Sequence, residues 1–428
     1  MHGYLGFLKK IKNKGFFHIF SSSVINKIIQ FCSGIFLVRF LTKTEYGNYS
    51  YAQNTLNMFL LLNGLGVLYS LLQFGSEDES KRNIIYKYGL KIGVAFNLFL
   101  CILILIYSFS VNLPNQESKI SLVMMGFMPF LIFGFQFIQN YLRTGLYNVE
   151  FSKQNNINTL LLFVFSLFGA VVYGIKGVII GTYLAYLISI ILGVRFIRSK
   201  NENIFLFKSK KNLKRSEKID FVKYSLYSLF NNAIAQLIFL IDIYLIGLLT
   251  MDTDLLATYK TATLIPFALN FIPLSIMTFI YPYFAKHREN KDWVKENFKR
   301  LQKILIVINI FIVSILYLIS PYLIQLLFGD EYSDIVSLFR ILLLGYLIGG
   351  SLRTPAGNVL AMIRKVKFLF WTNITMGCIN ICLNVVLIKK FSIYGAAVST
   401  VIIIFITSII YNIYIYHILR NNKKIDIN

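Results

Sequence analysis

Five residues, YGIKG from Tyr173 to Gly177, separate two apolar stretches so narrowly that the pair can be read as one. The stretches run near 157–174 and 178–195. A helix that crosses a bilayer needs about 20 mostly apolar residues, so each stretch is near the length of one crossing. Gly174 and Gly177 flank Lys176, and two glycines around a charge mark a tight turn rather than a helix interior. The chain is read as leaving the apolar phase here and re-entering it at once.

Working outward, ten further apolar segments lie near 19–41, 50–72, 90–110, 120–141, 223–249, 258–283, 301–320, 337–362, 368–388 and 395–417. The chain has 428 residues, 56% hydrophobic and 14% charged, where soluble domains carry about 25% charged residues. It reads as an all-α polytopic membrane protein of about twelve spans. Charge tests the parity. With the N-terminus in the cytoplasm, 33 of the 43 Lys and Arg fall in inside segments, 7 in outside segments and 3 within spans. That asymmetry is the positive-inside pattern, and an odd number of spans would destroy it. The expectation is a multi-pass protein of the cell inner (plasma) membrane with both termini cytoplasmic. The net charge of +24 then belongs to topology-setting loops, and no zinc-finger spacing or solvated basic domain points to nucleic acid. The basic N-terminus precedes a segment interrupted by Asn26, Lys27 and Gln30, so it reads as a retained helix rather than a removed leader.

The largest basic cluster, Arg198 to Lys218, lies near the midpoint. It reads as a cytoplasmic linker (199–218) between two six-helix halves, 1–198 and 219–428, and equally as a loop held near anionic headgroups. The halves echo each other. "GNYSYA" at Gly47 and "ATYKTA" at Ala257 share small-x-Tyr-x-x-Ala. "FSKQNN" at Phe151 and "FLFWTN" at Phe368 share Phe-x4-Asn, and "GVIIGT" at Gly177 and "GAAVST" at Gly395 share Gly-x4-Thr. Three matches in order, at offsets of 210 to 218, indicate a parallel repeat of six spans.

The corner between the first two segments reads "LVRFLTKTEYGNYSYAQN", Leu37 to Asn54. Arg39, Glu45, Gly47 and Tyr49 read as a structural corner: Glu45 and Tyr46 cap and anchor the turn, and Gly47 permits a left-handed backbone or a close helix approach. With Ala52, and with Asp242, Gly247, Tyr259 and Ala262 in the second half, this stretch resembles the polysaccharide-export flippases of the Wzx type. These are grouped in one superfamily with the multidrug/toxic-compound (MATE) exporters and the lipid II flippases. Ala257 departs from the pattern, where glycine is commoner.

The resemblance implies a MATE-like fold and export of a lipid-linked oligosaccharide with an anionic diphosphate, by alternating access. It implies a monomer working beside membrane lipids and the polymerase and chain-length proteins of the same pathway, with no cofactor. Such a head needs polar and cationic groups, because unsatisfied hydroxyls in hydrocarbon cost several kcal/mol each. Lys27 and Arg353 are the candidate cations; Asn54, Asn57, Gln139, Asn232 and Gln236 are the candidate amides, drawn from clusters that also hold Gln53, Gln136, Asn140 and Asn231. Snorkelling, or pairing with Asp242, is the plainer reading of the cations, and interhelical bonding that of the amides. Asp242 is the ion-coupling candidate, or a partner for a span cation. Pro266, Pro273 and Pro355 are candidate hinges, or static kinks.

Other classes fit less well. A drug exporter of the same fold would favour a carboxylate-lined cavity, and a membrane glycan polymerase would carry a large catalytic external loop. The longest outside gap here is Pro321 to Val336. No Walker loop occurs. Cys378 and Cys382 share a helix face without a nearby histidine, and read with Cys32 and Cys101 as apolar packing residues rather than metal ligands.

Overall fold

The computed structural model describes residues 16–77, 80–199, 213–287, 289–363 and 365–420. Most of the basic linker and both terminal segments lie outside the described residues, among which no strand occurs. In chain order the helices are α1 (Phe16–Phe40), α2 (Lys43–Leu60), α3 (Val67–Glu77), α4 (Arg82–Ser110), α5 (Gln116–Met125), α6 (Met128–Thr144), α7 (Asn148–Arg198) and α8 (Arg215–Thr250). They continue as α9 (Thr253–Leu269), α10 (Phe271–Lys286), α11 (Lys291–Phe328), α12 (Val336–Ile348), α13 (Thr354–Met362) and α14 (Val366–Arg420). Among the described residues, eight stretches are long and apolar enough to cross a membrane by length and composition. Two of these hold 51 and 54 residues. At 1.5 Å per residue each is over twice the roughly 30 Å hydrocarbon core. Both fold back on themselves. Counting the arms of α7 and α14 singly, and α2 with α3, α5 with α6, α9 with α10 and α12 with α13, the described residues make twelve passes, six on either side of the linker.

The fold-back of α7 is at YGIKG. Gly174 has φ 56°, ψ −137°, a left-handed region that side chains with a Cβ rarely adopt. The arms then run antiparallel in backbone contact: a Cβ on Gly169 would collide with the Gly177 carbonyl, and one on Gly181 with that of Phe165. Small residues let membrane helices approach this closely. The fold-back of α14 is the same turn. Ser392, 218 residues after Gly174, has φ 51°, ψ −136°, and a Cβ on Gly395 would meet the Leu387 carbonyl.

The α1–α2 corner rests on this hairpin. Thr42 caps α2, its Oγ1 accepting from Glu45 N at 3.3 Å, while Glu45 Oε2 accepts from Thr42 N at 3.0 Å. This reciprocal pair satisfies two amide groups that the first helical turn leaves open. The other carboxylate oxygen, Oε1, occupies the place a Cβ on Gly174 would take. Gly47 is a buried helical residue of α2 and is not among the positive-φ glycines, so the left-handed option for it is not used. Arg39 lies exposed in the last turn of α1, and Tyr49 is half-buried in α2.

The chain divides into two compact units, Met1–Leu240 and Ile241–Asn428. That boundary falls inside α8, beyond the sequence-repeat boundary at the linker, because the first part of α8 packs on α3. Ser70 Oγ donates to the Phe221 carbonyl at 2.8 Å and pairs with Ser225 Oγ at 2.7 Å. In the first unit one apolar core gathers Leu71, Tyr86, Phe133, Tyr141 and Phe221, and another gathers Leu56, Ile104, Leu122, Met125 and Ile179. The second unit is closed by Phe284, Phe298, Leu360, Tyr411 and Ile415.

Several passes are interrupted. Gly64, Leu65 and Gly66 take positive φ between α2 and α3. Pro266 is buried inside α9, Pro273 lies in the first turn of α10, and Pro355 opens α13 after a π-helical turn, Gly349–Arg353. The external gap is shorter than Pro321 to Val336, because α11 continues through Pro321 to Phe328. Proline lacks the N–H that would bond the carbonyl four residues back. Arg340 supplies donors there, with Nη2 on the Tyr317 carbonyl at 3.3 Å and Nε on Ser320 Oγ at 3.0 Å. Cys378 and Cys382 are exposed on α14 rather than packed inside.

The two fold-back turns make a paired prediction. Relieving a positive φ at a non-glycine position is worth about 1 kcal/mol. Ser392→Gly should therefore raise the thermal unfolding temperature of the detergent-purified protein, and Gly174→Ala should lower it. Opposite signs, or no shift in either variant, would show that the turns do not carry this conformational demand.

Candidate substrate cavity and ion site

One face of α6 presents Ile132, Gln136, Gln139, Asn140 and Arg143, spaced i, i+4, i+7, i+8 and i+11. This face lines a cavity of about 670 Å³ within the first unit. α2 adds Asn57, the break before α3 adds Asn63, α3 adds Tyr69, and α8 adds Asn232 and Gln236. The lining holds seven carboxamides and one guanidinium, with no aspartate or glutamate. Arg143 is exposed in the last turn of α6, at the end of the unit where the charge map puts the cytoplasm. Between Gln136 and Arg143 the helix rises about 10 Å, so a ligand can meet amides and the cation at different depths.

The amides are held in place. Asn63 Nδ2 donates to Gln136 Oε1 at 2.9 Å, and Gln139 Nε2 to Asn155 Oδ1 at 3.1 Å. Asn140 Nδ2 donates to the Gln136 carbonyl at 3.2 Å, and Asn232 Nδ2 to the Ser228 carbonyl at 2.8 Å. Asn63 Oδ1 is buried and has no partner among the described residues.

Of the residues the sequence proposes, Asn57, Gln139, Asn232 and Gln236 meet in this cavity. Asn54 does not line it; its Nδ2 donates to the Leu240 carbonyl at 2.9 Å. Lys27 is exposed on α1, its Nζ 3.5 Å from Gln30 Oε1, and is not a lining residue. Arg353 belongs to the second unit and ends the π-helical turn, half-buried, with no hydrogen bond or ion pair among the described residues. That turn is pinned by amides of neighbouring helices: Asn309 Nδ2 donates to Ser351 Oγ at 3.0 Å, and Asn412 Nδ2 to the Leu352 carbonyl at 3.4 Å. Asn63, Tyr69 and Arg143 are the lining residues that sequence reasoning missed. For Arg143 the signal was its register with Gln136 and Gln139.

A second polar cluster lies in the second unit. Asp242 on α8 is buried and accepts from three neutral donors: Thr400 Oγ1 at 2.5 Å, Asn384 Nδ2 at 2.7 Å and Tyr259 Oη at 3.2 Å. It forms no ion pair with Arg353 or with any other cation among the described residues, so that reading is corrected. Asn384 Nδ2 also reaches Asn380 Oδ1 at 3.1 Å, and Asn384 Oδ1 has no partner. Among the described residues no group of three or more His, Cys, Asp or Glu could hold a metal ion. All three contacts are neutral donors aimed at one carboxylate, so the group can take up a proton without leaving a counter-charge behind.

Residues 13–288 match the family described as polysaccharide biosynthesis protein. The chain belongs to this family. Its fold is that of known transporters. It resembles an inward-facing multidrug resistance MATE family transporter of the MOP superfamily (TM-score 0.77, 13% identity, 92% of this chain and 94% of that one). It also resembles the lipid II flippase MurJ in an inward closed conformation (TM-score 0.75, 14% identity, 93% and 87%). A MOP superfamily transporter from Pyrococcus furiosus, described by a reverse-polarity binding pocket, matches at TM-score 0.65 with 13% identity over 96% of both chains. These likenesses, at such identities, concern the fold. No curated protein sequence matches significantly. The chain is thus an all-α, multi-pass membrane protein of the polysaccharide biosynthesis family with a transporter fold.

The cavity should hold water. In a background lacking Cys32, Cys101, Cys378 and Cys382, Asn140→Cys and Asn232→Cys should react with a membrane-impermeant thiol reagent, whereas Phe168→Cys, on the 68% exposed outer face of α7, should not. Equal protection of all three sites would contradict an aqueous cavity.

Proposed function

We propose that this chain is a flippase. It moves polyprenyl-diphosphate-linked oligosaccharide repeat units from the inner to the outer leaflet by alternating access, for O-antigen or capsule synthesis. The observation that carries the reading is the cavity lining, seven carboxamides and a guanidinium without a carboxylate, in a chain of the polysaccharide biosynthesis family. Carboxamides both donate and accept, as sugar hydroxyls do. A guanidinium pairs with phosphate through a planar fork of donors. The isoprenoid tail can stay in lipid while the head crosses through protein. A drug exporter selecting apolar cations would gain from an acidic lining, which this cavity lacks. In this reading both termini lie in the cytoplasm, the membrane is the plasma membrane, and the sequence halves 1–198 and 219–428 flank the 199–218 linker.

Arg143 is the anion contact in this reading, and Arg353 is a second candidate because nothing among the described residues neutralises it. Arg143→Ala should lower surface polysaccharide at least tenfold at equal membrane abundance, with lipid-linked repeat units accumulating on the cytoplasmic leaflet. Arg143→Lys should keep partial export. Normal export by Arg143→Ala removes Arg143 from the site, and normal export by both Arg143→Ala and Arg353→Ala removes the anionic cargo from the reading.

Energy can come from the membrane potential, since one charge crossing 100 mV is worth about 2.3 kcal/mol. Two negative charges leaving a negative cytoplasm would gain about 4–5 kcal/mol. Asp242 is the group for ion coupling, held by the neutral donors of Tyr259, Asn384 and Thr400. In vesicles, Asp242→Asn should leave voltage-driven transport and abolish its dependence on a proton or sodium gradient. If both modes fall together, Asp242 is a structural acceptor for Asn384 and Thr400 instead.

A further inference from the structure

Gly174 and Ser392 are 218 residues apart, and the same offset lays α13 onto the cavity face of α6. Gln136, Asn140 and Arg143 fall on Thr354, Asn358 and Ala361. The burial pattern follows. Phe137, Ile138, Tyr141 and Leu142 are buried between the accessible positions of α6, and Pro355, Ala356, Val359 and Leu360 between those of α13. A hydrogen bond is repeated as well: Asn358 Nδ2 donates to the Thr354 carbonyl at 2.8 Å, as Asn140 Nδ2 does to the Gln136 carbonyl. The second unit therefore carries a counterpart of the first unit's polar wall.

The counterpart places its charge elsewhere. Ala361 stands where α6 has Arg143, and the cation is Arg353, one residue before Thr354. Arg353 is half-buried and forms no hydrogen bond or ion pair among the described residues. The helices packed on this stretch are α10, α11, α12 and α14. α10, α12 and α14 contain no aspartate or glutamate, and α11 has only Asp292 and Glu296, both within its first two turns. Glu296 faces Arg300, at 3.7 Å. Snorkelling does not bring the charge to the surface either. Met362, the near end of the pass, is nine residues on, about 14 Å, and helical side chains lean toward the N-terminus, away from that end. A span guanidinium without a counter-charge is costly in hydrocarbon, so this face of α13 meets water and its cation is left for an anion.

We infer that Arg353, with Thr354 and Asn358 on the same accessible face, forms a second phosphate site within the second unit; on the flippase reading above, on which this assignment rests, the phosphate is that of the lipid-linked cargo. The guanidinium supplies a planar fork of donors matched to phosphate oxygens. Thr354 Oγ1 is uncommitted among the described residues and adds a hydroxyl donor, and Asn358 keeps the second N–H of its amide.

The test uses the full-length chain without its four cysteines, carrying Arg143→Ala, in phosphatidylcholine nanodiscs. Farnesyl diphosphate and inorganic pyrophosphate are the probes, and this chain should bind both. Adding Arg353→Cys should weaken binding about tenfold, as expected for losing a charged hydrogen-bond donor. Reaction with 2-aminoethyl methanethiosulfonate, which puts a cation back, should recover most of the loss, and the neutral methyl methanethiosulfonate should not. The rescue is made on folded protein, so a folding defect cannot imitate it. A cysteine that does not react, or equal recovery with both reagents, overturns the site. So does an Arg143→Ala chain that binds neither probe while the chain retaining Arg143 binds farnesyl diphosphate; the flippase reading then stands. If pyrophosphate binding follows Arg353 but farnesyl diphosphate binds neither chain, the site takes a free phosphate and the flippase reading falls.

Discussion

Hydrocarbon offers no hydrogen bonds, so every backbone carbonyl and amide that crosses it must find a partner within the protein. This chain nevertheless interrupts its apolar helices repeatedly, at Gly64–Gly66, between Pro266 and Pro273 and at the π-helical turn Gly349–Arg353, and carries Pro321 inside α11. The breaks persist because side chains repair them. Ser320 and Arg340 together serve the Tyr317 carbonyl that Pro321 leaves open. Asn270 Nδ2 donates back to the Pro266 carbonyl at 3.1 Å where α9 ends. Asn309, Tyr346 and Asn412 surround the π-helical turn. Interrupted helices of this kind, repaired by polar neighbours, are where membrane transporters place polar sites.

The same economy explains the two polar clusters. A carboxamide in an apolar span must be bonded or face water, and in the first unit Gln139, Asn140 and Asn232 tie their nitrogens to the protein while lining the cavity. In the second unit the solution is different. Asp242 is enclosed by neutral donors from α9 and α14, so its charge is solvated by hydroxyl and amide dipoles without a counter-ion. A buried carboxylate without a cation is costly unless such dipoles, a proton or an ion stabilise it. The first unit therefore keeps its amides beside a cavity, whereas the second encloses its carboxylate.

Much of this was legible in the sequence, for physical reasons. Twelve apolar segments and the sign of the charges between them mark the passes, because bilayer thickness and loop charge act on local sequence. YGIKG was readable as a turn because glycine marks the backbone conformation that Gly174 adopts. The amide clusters stood out because carboxamides are rare in hydrocarbon without a reason. Arg143 was hidden by its position, since a cation at a helix end is what loop charge alone would place there. The donors around Asp242 were invisible because Asn384 and Thr400 lie 142 and 158 residues away in the chain. The donor for Pro321's orphan carbonyl was equally hidden, since Arg340 reads as a span cation until its neighbours are known. Charge alone pairs Asp242 with Arg353, and the packing of the described residues does not.

Ser392 keeps the backbone shape of Gly174 without keeping the glycine. Serine is less suited to this shape than glycine, so the turn is held from outside, by the arms of α14 meeting at Gly395 and Leu387. The peptide link at this turn is then a convenience of synthesis rather than the bond that holds the hairpin. A chain interrupted there would still present two helices whose surfaces recognise each other, and fragments ending and beginning at Ser392 would be expected to reassemble in the bilayer.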